Sequence, residues 1–329
     1  MTEKVRLDPD SPLRVATLGG GTGLAALLRA LKPEAGRARD PWKLTGIVTV
    51  SYDGGSSGRL RTELGGIPPG DLRNCLSALT QEESVLSELL NYRFKGDGSL
   101  SGHSLGNLML VALADITGDW VHAIRQLSGV LVTVGRLYPS TTVPVTLGAE
   151  DAEGNLVRGE TKVNAARAPF RRLWLEPSDA EALPESVLAL LRAEMIILAP
   201  GSLYTSTLPN LLIQEIRGAM DYAKSPVIYV ANLMTEPGES SGMDLAAHVE
   251  ALQRHGGIRP SAILGNCTPL SDTILGRYRA EGAQPILAEN RVLDGIPVFS
   301  RPLLDPEAQI ARHHPTLLNQ ALREVLVTL

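Results

Sequence analysis

The sequence predicts a doubly wound α/β fold with a mostly parallel sheet. Three observations point there. The run Arg14-Val15-Ala16-Thr17-Leu18 leads into Gly19-Gly20-Gly21-Thr22-Gly23, after which Leu24, Leu27, Leu28 and Leu31 recur at helical spacing. Aromatic residues make up only 4% of a chain that is 43% hydrophobic, so Leu, Val, Ile and Ala must build the core, as in strands buried on both faces. Candidate strands and helices alternate at both ends of the chain.

Residues 1–13 read as a flexible N-terminal arm and 14–329 as a single α/β domain. Strands are expected at 14–18, 44–50, 130–134, 142–149, 156–159, 171–176, 195–199, 226–231, 261–265 and 296–299. Helices are expected at 22–32, 70–80, 82–93, 104–117, 119–128, 179–192, 207–223, 242–255, 271–281 and 306–327. Residues 82–128 form a helical insertion, and 130–176 a β-hairpin excursion around the turn residues Glu150 to Asn155. The chain's 329 residues also suit a second division, two α/β lobes meeting near 130–195.

Charge and cysteine usage exclude several classes. A net charge of −5 gives no electrostatic footprint for nucleic acid, so an anionic ligand must be held by local donors. Met1 to Pro9 lack the apolar core of a signal peptide, and apolar stretches such as Leu108 to Ala114 are far too short for a membrane span. Cys75 and Cys267 stand far apart in no metal-ligand spacing, which fits a reducing, cytoplasmic setting. A homodimer is the expected assembly, although no self-complementary surface is legible in the sequence.

Five expected strands run into loops rich in Gly, Ser, Asn and Asp. Parallel strands would gather all five at one sheet edge, where open α/β sheets bind ligands. In the first, Gly20, Gly21, Thr22 and Gly23 open a helix whose free N–H groups and dipole suit a phosphate. The pattern is neither a P-loop nor the dinucleotide fingerprint, since Leu24 stands where the last glycine belongs. A packing turn is the alternative.

The second loop holds Asp53, Gly54, Gly55, Ser56, Ser57, Arg59 and Arg61. Asp53 suits a ribose hydroxyl, a sugar or a metal, the serines suit phosphate oxygens, and the arginines suit an anion clamp. A solvated turn is the plainer alternative. Asp71 is placed to cap a helix starting near 72, which puts Arg73 and Asn74 in its first turn, where a cation opposes the dipole and asks for a phosphate or carboxylate partner. His103 before Ser104 is a hydrogen-bonding residue or a proton carrier, and Asn107 follows one turn on. Gly201, Ser202, Asn232 and Asn266 close the later strands. His313 and His314 fall within the last expected helix and read as surface residues without a metal role. There is no G-x-S-x-G, no H-E-x-x-H and no legible acid–base dyad.

Six segments in order carry a family resemblance: Gly19 to Leu24, Asp53 to Arg61, Pro68 to Leu76, Gly102 to Leu108, Pro200 to Ser206, and Asn232 to Glu239. Together they resemble the gluconeogenesis-factor family, related to the 2-phospho-L-lactate transferases of the CofD-like group. The resemblance implies a three-layer α/β/α, Rossmann-like fold. It implies a non-catalytic, cytoplasmic binder of UDP-type nucleotide sugars, needed for normal cell shape on gluconeogenic carbon, with a regulatory partner that stays unidentified. The alternative it implies is a transferase moving a phospholactyl group from a guanosine diphosphate (GDP) carrier, with magnesium. Two departures stand out: Tyr52 replaces the first of two aspartates common in such proteins, and Pro144 replaces a frequently acidic position. A nicotinamide-dependent oxidoreductase using NAD is a third reading, disfavoured by Leu24. No functional residue is assigned beyond about residue 300, no catalytic residue is assigned, and no cofactor is certain.

Overall fold

A computed structural model describes residues 12–329, apart from 40, 83, 167, 306 and 308. Residues 1–11 of the expected arm lie outside that description; of its last two residues, Leu13 is buried.

Eleven strands are defined among the described residues. They are β1 (Arg14–Gly19), β2 (Lys43–Val48), β3 (Arg136–Pro139), β4 (Thr146–Glu150), β5 (Leu156–Arg158) and β6 (Arg172–Glu176), then β7 (Met195–Leu198), β8 (Val227–Val230), β9 (Ala262–Asn266), β10 (Arg291–Leu293) and β11 (Ile296–Arg301). Eight of them form one sheet in the order β10-β11-β9-β8-β7-β1-β2-β3, parallel except for the β10–β11 hairpin. The central strands β7 and β8 are buried at every position, which explains their unbroken Met-Ile-Ile-Leu and Val-Ile-Tyr-Val runs.

The winding reverses between β1 and β7. From β1 the chain proceeds to β2 and β3 on one side, then returns to β7, β8 and β9 on the other. Helices lie on both sides of the sheet. One group joins Gly21–Ala35, Pro69–Leu79 and Pro315–Thr328; another joins Pro184–Arg192, Leu208–Leu211, Gln214–Ala223 and Leu245–Gly256. The helical insertion comprises Val85–Asn91, Leu105–Thr117 and Trp120–Leu131. The excursion is a three-stranded antiparallel sheet, β5-β4-β6, beside the short helix Glu160–Ala165.

Several elements depart from those expected. Residues 130–134 are not a strand: Ile124, Leu127 and Leu131 bury one helical face, so the helix runs to Leu131, and Val132 in left-handed conformation ends it. The strand begins six residues later, at Arg136. The helix expected at 306–327 starts only at Pro315, whose fixed φ suits a first turn. The helix expected at 207–223 is broken into a π-helical turn Leu203–Thr207, Leu208–Leu211 and Gln214–Ala223. The second glycine-rich loop is in fact the start of a helix, Gly55–Leu64, which its Gly-Ser composition conceals. Helix Pro69–Leu79 begins before Asp71, so Asp71 lies inside the first turn and is not its N-cap.

Candidate functional site

The five strand-end loops all lie at the carboxyl edge of the sheet, and those after β1, β7 and β8 meet beside the switch between β1 and β7, where ligands bind in open α/β sheets. A crevice of about 600 Å³ opens there. The glycine turn forms one rim. Gly21 has φ +54°, a backbone shape that disfavours a side chain. Gly23 packs so closely on Pro200 that a methyl group would overlap the Pro200 carbonyl. Across from it, Asn232 grips Gly201: the Gly201 N–H donates to Asn232 Oδ1 at 2.7 Å, and Asn232 Nδ2 donates to the Gly201 carbonyl at 2.8 Å. The ends of β7 and β8 are thereby tied into one wall.

Of the residues singled out from sequence, Thr22, Gly23, Asn74, Gly201 and Asn232 line this crevice. Arg73 stands behind it. Its expected phosphate or carboxylate partner is instead a pair of amides: Nη1 donates to Asn91 Oδ1 at 2.5 Å and Nη2 to Asn74 Oδ1 at 2.6 Å. Asn91 Nδ2 in turn donates to Ser77 Oγ at 2.8 Å, so a buried guanidinium orients a polar wall of Asn74, Asn91 and Ser77.

The second loop lies apart from the crevice lining and spends its polar groups internally. Asp53 Oδ1 accepts from the Thr161 N–H at 2.9 Å and hydroxyl at 2.7 Å. Ser56 Oγ lies 2.9 Å from His103 Nδ1, and Asn107 Nδ2 donates to Ser56 and Ser57 at 3.2 and 3.4 Å. Arg59 donates to the Ser101 carbonyl at 2.6 Å. Gly54 and Gly55 turn the chain under the Tyr52 ring. Burial, then the Arg59 charge, holds the His103 pKa below its ordinary value, so the ring is neutral near pH 7. Asn266 is also structural, accepting from the N–H groups of Thr268 and Leu303.

Gly20 and Gly21 face a carboxylate. Gly20 abuts Thr49, Asp71 and Ser206, and the Gly21 N–H donates to Asp71. The helix start that suits a phosphate thus already holds one internal anion. Burial nonetheless pushes the Asp71 carboxyl up to about 6. Ser202 donates to Glu236 Oε2 at 2.5 Å, and Glu239 accepts from the N–H groups of Tyr204 and Thr205 at 2.5 and 3.1 Å. Burial, then the Glu236 charge, pushes Glu239 up to about 8, and burial raises Glu236 as well.

Arg29, Asn91, Tyr278 and Arg312 also line the crevice and escaped the sequence reading, whereas Thr235 and Glu236 fall within the expected loop Asn232 to Glu239, where neither was given a role of its own. Arg29 and Arg312 are exposed cations with no ion-pair partner among the described residues. Arg312 and His313 correct the expectation that the chain beyond 300 carries no site residue. The histidines precede the last helix and are not surface residues of it; His313 lines the crevice with Nε2 donating to the Ala231 carbonyl at 3.2 Å, and burial lowers its pKa to about 4.

Comparison with known proteins places this geometry among relatives. Residues 15–304 match the family model for 2-phospho-L-lactate transferase CofD. The gluconeogenesis factor of Halalkalibacterium halodurans is 39% identical, the match covering 94% of this chain and 95% of that protein. The gluconeogenesis factor of Bacillus subtilis is 43% identical over 83% of this chain and 84% of that protein. A crystal structure of a Bacillus halodurans protein superposes with a TM-score of 0.89 at 38% identity, covering 96% of this chain and all of that one. No helix among the described residues is long and apolar enough to cross a membrane.

Proposed function

The chain belongs to the 2-phospho-L-lactate transferase CofD family, and on that premise we propose that it is a gluconeogenesis factor that binds a UDP-type nucleotide sugar without turning it over. One observation carries the reading. The crevice combines a closely packed glycine rim with two cations that have no ion-pair partner among the described residues, Arg29 and Arg312, and a wall of oriented amides. Guanidinium groups suit a diphosphate, which they engage with paired, charge-assisted hydrogen bonds. Tyr278 offers a flat ring for a base. Asn74, whose Oδ1 is held by Arg73, keeps its Nδ2 to donate to base or sugar, and Glu236 can accept from a sugar hydroxyl. Occupancy of this crevice would then report nucleotide-sugar supply to the machinery that sets cell shape on gluconeogenic carbon.

The family model supports the transferase alternative at the level of family. Its magnesium is tested by the residues present. Asp53 is engaged by Thr161, Tyr52 stands beside it, and among the described residues no three His, Cys, Asp or Glu side chains gather as metal ligands. Among the described residues these side chains build no all-protein magnesium site, and in the transferase reading the ion would arrive on the phosphates of the ligand.

Calorimetric titration with UDP-N-acetylglucosamine, UDP-glucose, GDP and NAD, each with and without magnesium, tests the reading. Tight binding of a UDP-sugar that survives chelation is the expected result. Metal-dependent GDP binding without UDP-sugar binding would overturn it in favour of a transferase.

A further inference from the structure

Arg73 is a buried cation without an ion-pair partner among the described residues. It is 5% exposed, and its Nε finds no acceptor. Taking a guanidinium out of water is costly when no opposite charge balances it. Two amide oxygens take that place, Asn91 Oδ1 and Asn74 Oδ1.

A guanidinium has donors and no acceptor, so it fixes the direction of the bonds around it. Both amides must turn their oxygens towards Arg73, and both Nδ2 groups therefore point away from it. Asn91 spends its two hydrogens on Ser77 Oγ at 2.8 Å and the Ser87 carbonyl at 2.9 Å. Ser77 Oγ thus accepts from Asn91 and keeps its own hydrogen for the crevice. Asn74 and Ser77 stand one turn apart on one face of helix Pro69–Leu79. Arg29 adds a third donor from helix Gly21–Ala35, which packs against Pro69–Leu79, and the small Ala25 and Ala26 keep that stretch of the crevice open. A positive charge buried behind Asn74 and Ser77 strengthens both as donors. The carboxyl groups of the crevice, Glu236 and Glu281, stand on other elements, after β8 and after helix Asp272–Ala280. The glycine turn is built the opposite way: its Gly21 N–H already serves Asp71, so a phosphate arriving there meets a carboxyl group.

We propose that the ligand's diphosphate sits against Arg29, Asn74 and Ser77, where helices Gly21–Ala35 and Pro69–Leu79 border the crevice, and not in the glycine turn. Phosphate oxygens only accept hydrogen bonds, which matches a wall that donates them. Asn74 then serves phosphate in place of base or sugar. Arg73 is a positioning residue: it sets which end of each amide the ligand meets. Recognition of phosphate stands on these contacts alone, whereas its identity as the diphosphate of a nucleotide sugar rests on the reading of the crevice given above.

Titration calorimetry of the full chain with inorganic pyrophosphate, UDP-glucose and CDP-glucose, all without magnesium, tests the seat. Pyrophosphate should bind and compete with UDP-glucose. Asn74→Asp is isosteric, pairs its carboxylate with Arg73 and removes the outward donor; it should weaken all three ligands by the same factor, about tenfold. Ser77→Ala leaves Asn91 bonded to the Ser87 carbonyl and should weaken all three about fivefold. Circular dichroism and melting should match the unaltered chain in both variants. Arg59→Ala removes a charge outside the crevice and should change none of the three affinities. Pyrophosphate that fails to bind the unaltered chain, or binds both folded variants as tightly, would overturn the seat. So would a changed ratio of UDP-glucose to CDP-glucose in Asn74→Asp, which would put the wall against the base. Pyrophosphate binding that depends on Asn74, with no binding of UDP-glucose, would uphold the seat and sink the nucleotide-sugar reading instead.

Discussion

Gly23→Ala is the sharpest probe of the crevice. The added methyl would overlap the Pro200 carbonyl oxygen and lie 2.6 Å from its carbon and 3.0 Å from Gly201 Cα, so backbone meets backbone. Neither side can yield cheaply. Gly201 is held at both its N–H and its carbonyl by Asn232, and the Ala199 N–H is tied to the Leu18 carbonyl at 2.8 Å. The helix start must shift instead. Overpacking of this kind costs about 1–3 kcal/mol, and backbone contact places this case at the upper end. Unfolding should therefore occur on the order of 5 °C lower. The same shift moves the glycine rim away from Gly201 and Asn232 across the crevice, so affinity for the nucleotide sugar should fall about tenfold, the ~1.4 kcal/mol weight of one good charged hydrogen bond. Gly129→Ala is the control. It sits in a helix with open space around its added methyl and should be neutral or stabilising by about 0.5–1 kcal/mol. Differential scanning fluorimetry and titration calorimetry read both quantities. A Gly23→Ala protein with wild-type melting and affinity would refute the close approach on which the crevice is built.

Arg312→Ala should weaken diphosphate-ligand binding by about 1.5–3 kcal/mol in calorimetry. Arg59→Ala should leave affinity unchanged, because its guanidinium serves the Ser101 carbonyl. Asn232→Ala strips two partners from Gly201 and should cost about 1–3 kcal/mol in denaturant unfolding; a stable variant would show that the tie between β7 and β8 is dispensable. Stability should also depend on pH through Glu239. Its folded value, about 8, lies above its ordinary 4.5, so the folded chain holds a proton that the unfolded chain releases. The contribution is fully present below about 4.5 and is lost as pH rises towards 8. Glu239→Gln should flatten that slope in melts taken from pH 5 to 8.

The fold was legible where local chemistry agreed with tertiary packing. Gly19 to Gly23 announced a strand-turn-helix unit because close packing and positive φ leave few residue choices there. Parallel strands such as Met195–Leu198 were legible as unbroken apolar runs. Helix Gly55–Leu64 was hidden because Gly55, Ser56, Ser57 and Gly58 are poor helix formers; Gly58 is needed there because a side chain would strike the Asp53 backbone. The β-branched run at 130–134 misled in the opposite sense, since burial of Leu127 and Leu131 outweighed strand propensity. The crevice was half visible. Residues flanking motifs, such as Asn74 and Asn232, stood out, but Arg29 and Arg312 are ordinary surface arginines until folding sets them at one rim.

The position of β1 has a consequence for how the chain is made. Its two neighbours are β2, reached within thirty residues, and β7, which begins at Met195. While the ribosome is still translating the helical insertion and the small antiparallel sheet, the future centre of the sheet is an open edge, its Val15 to Leu18 ladder unsatisfied. Such edges invite pairing with other chains. The nascent protein is therefore most exposed to misassembly before Met195–Leu198 emerges, and the crevice that spans Thr22 to His313 exists only once His313 has been made. A nascent chain that stops short of His313 has no such crevice.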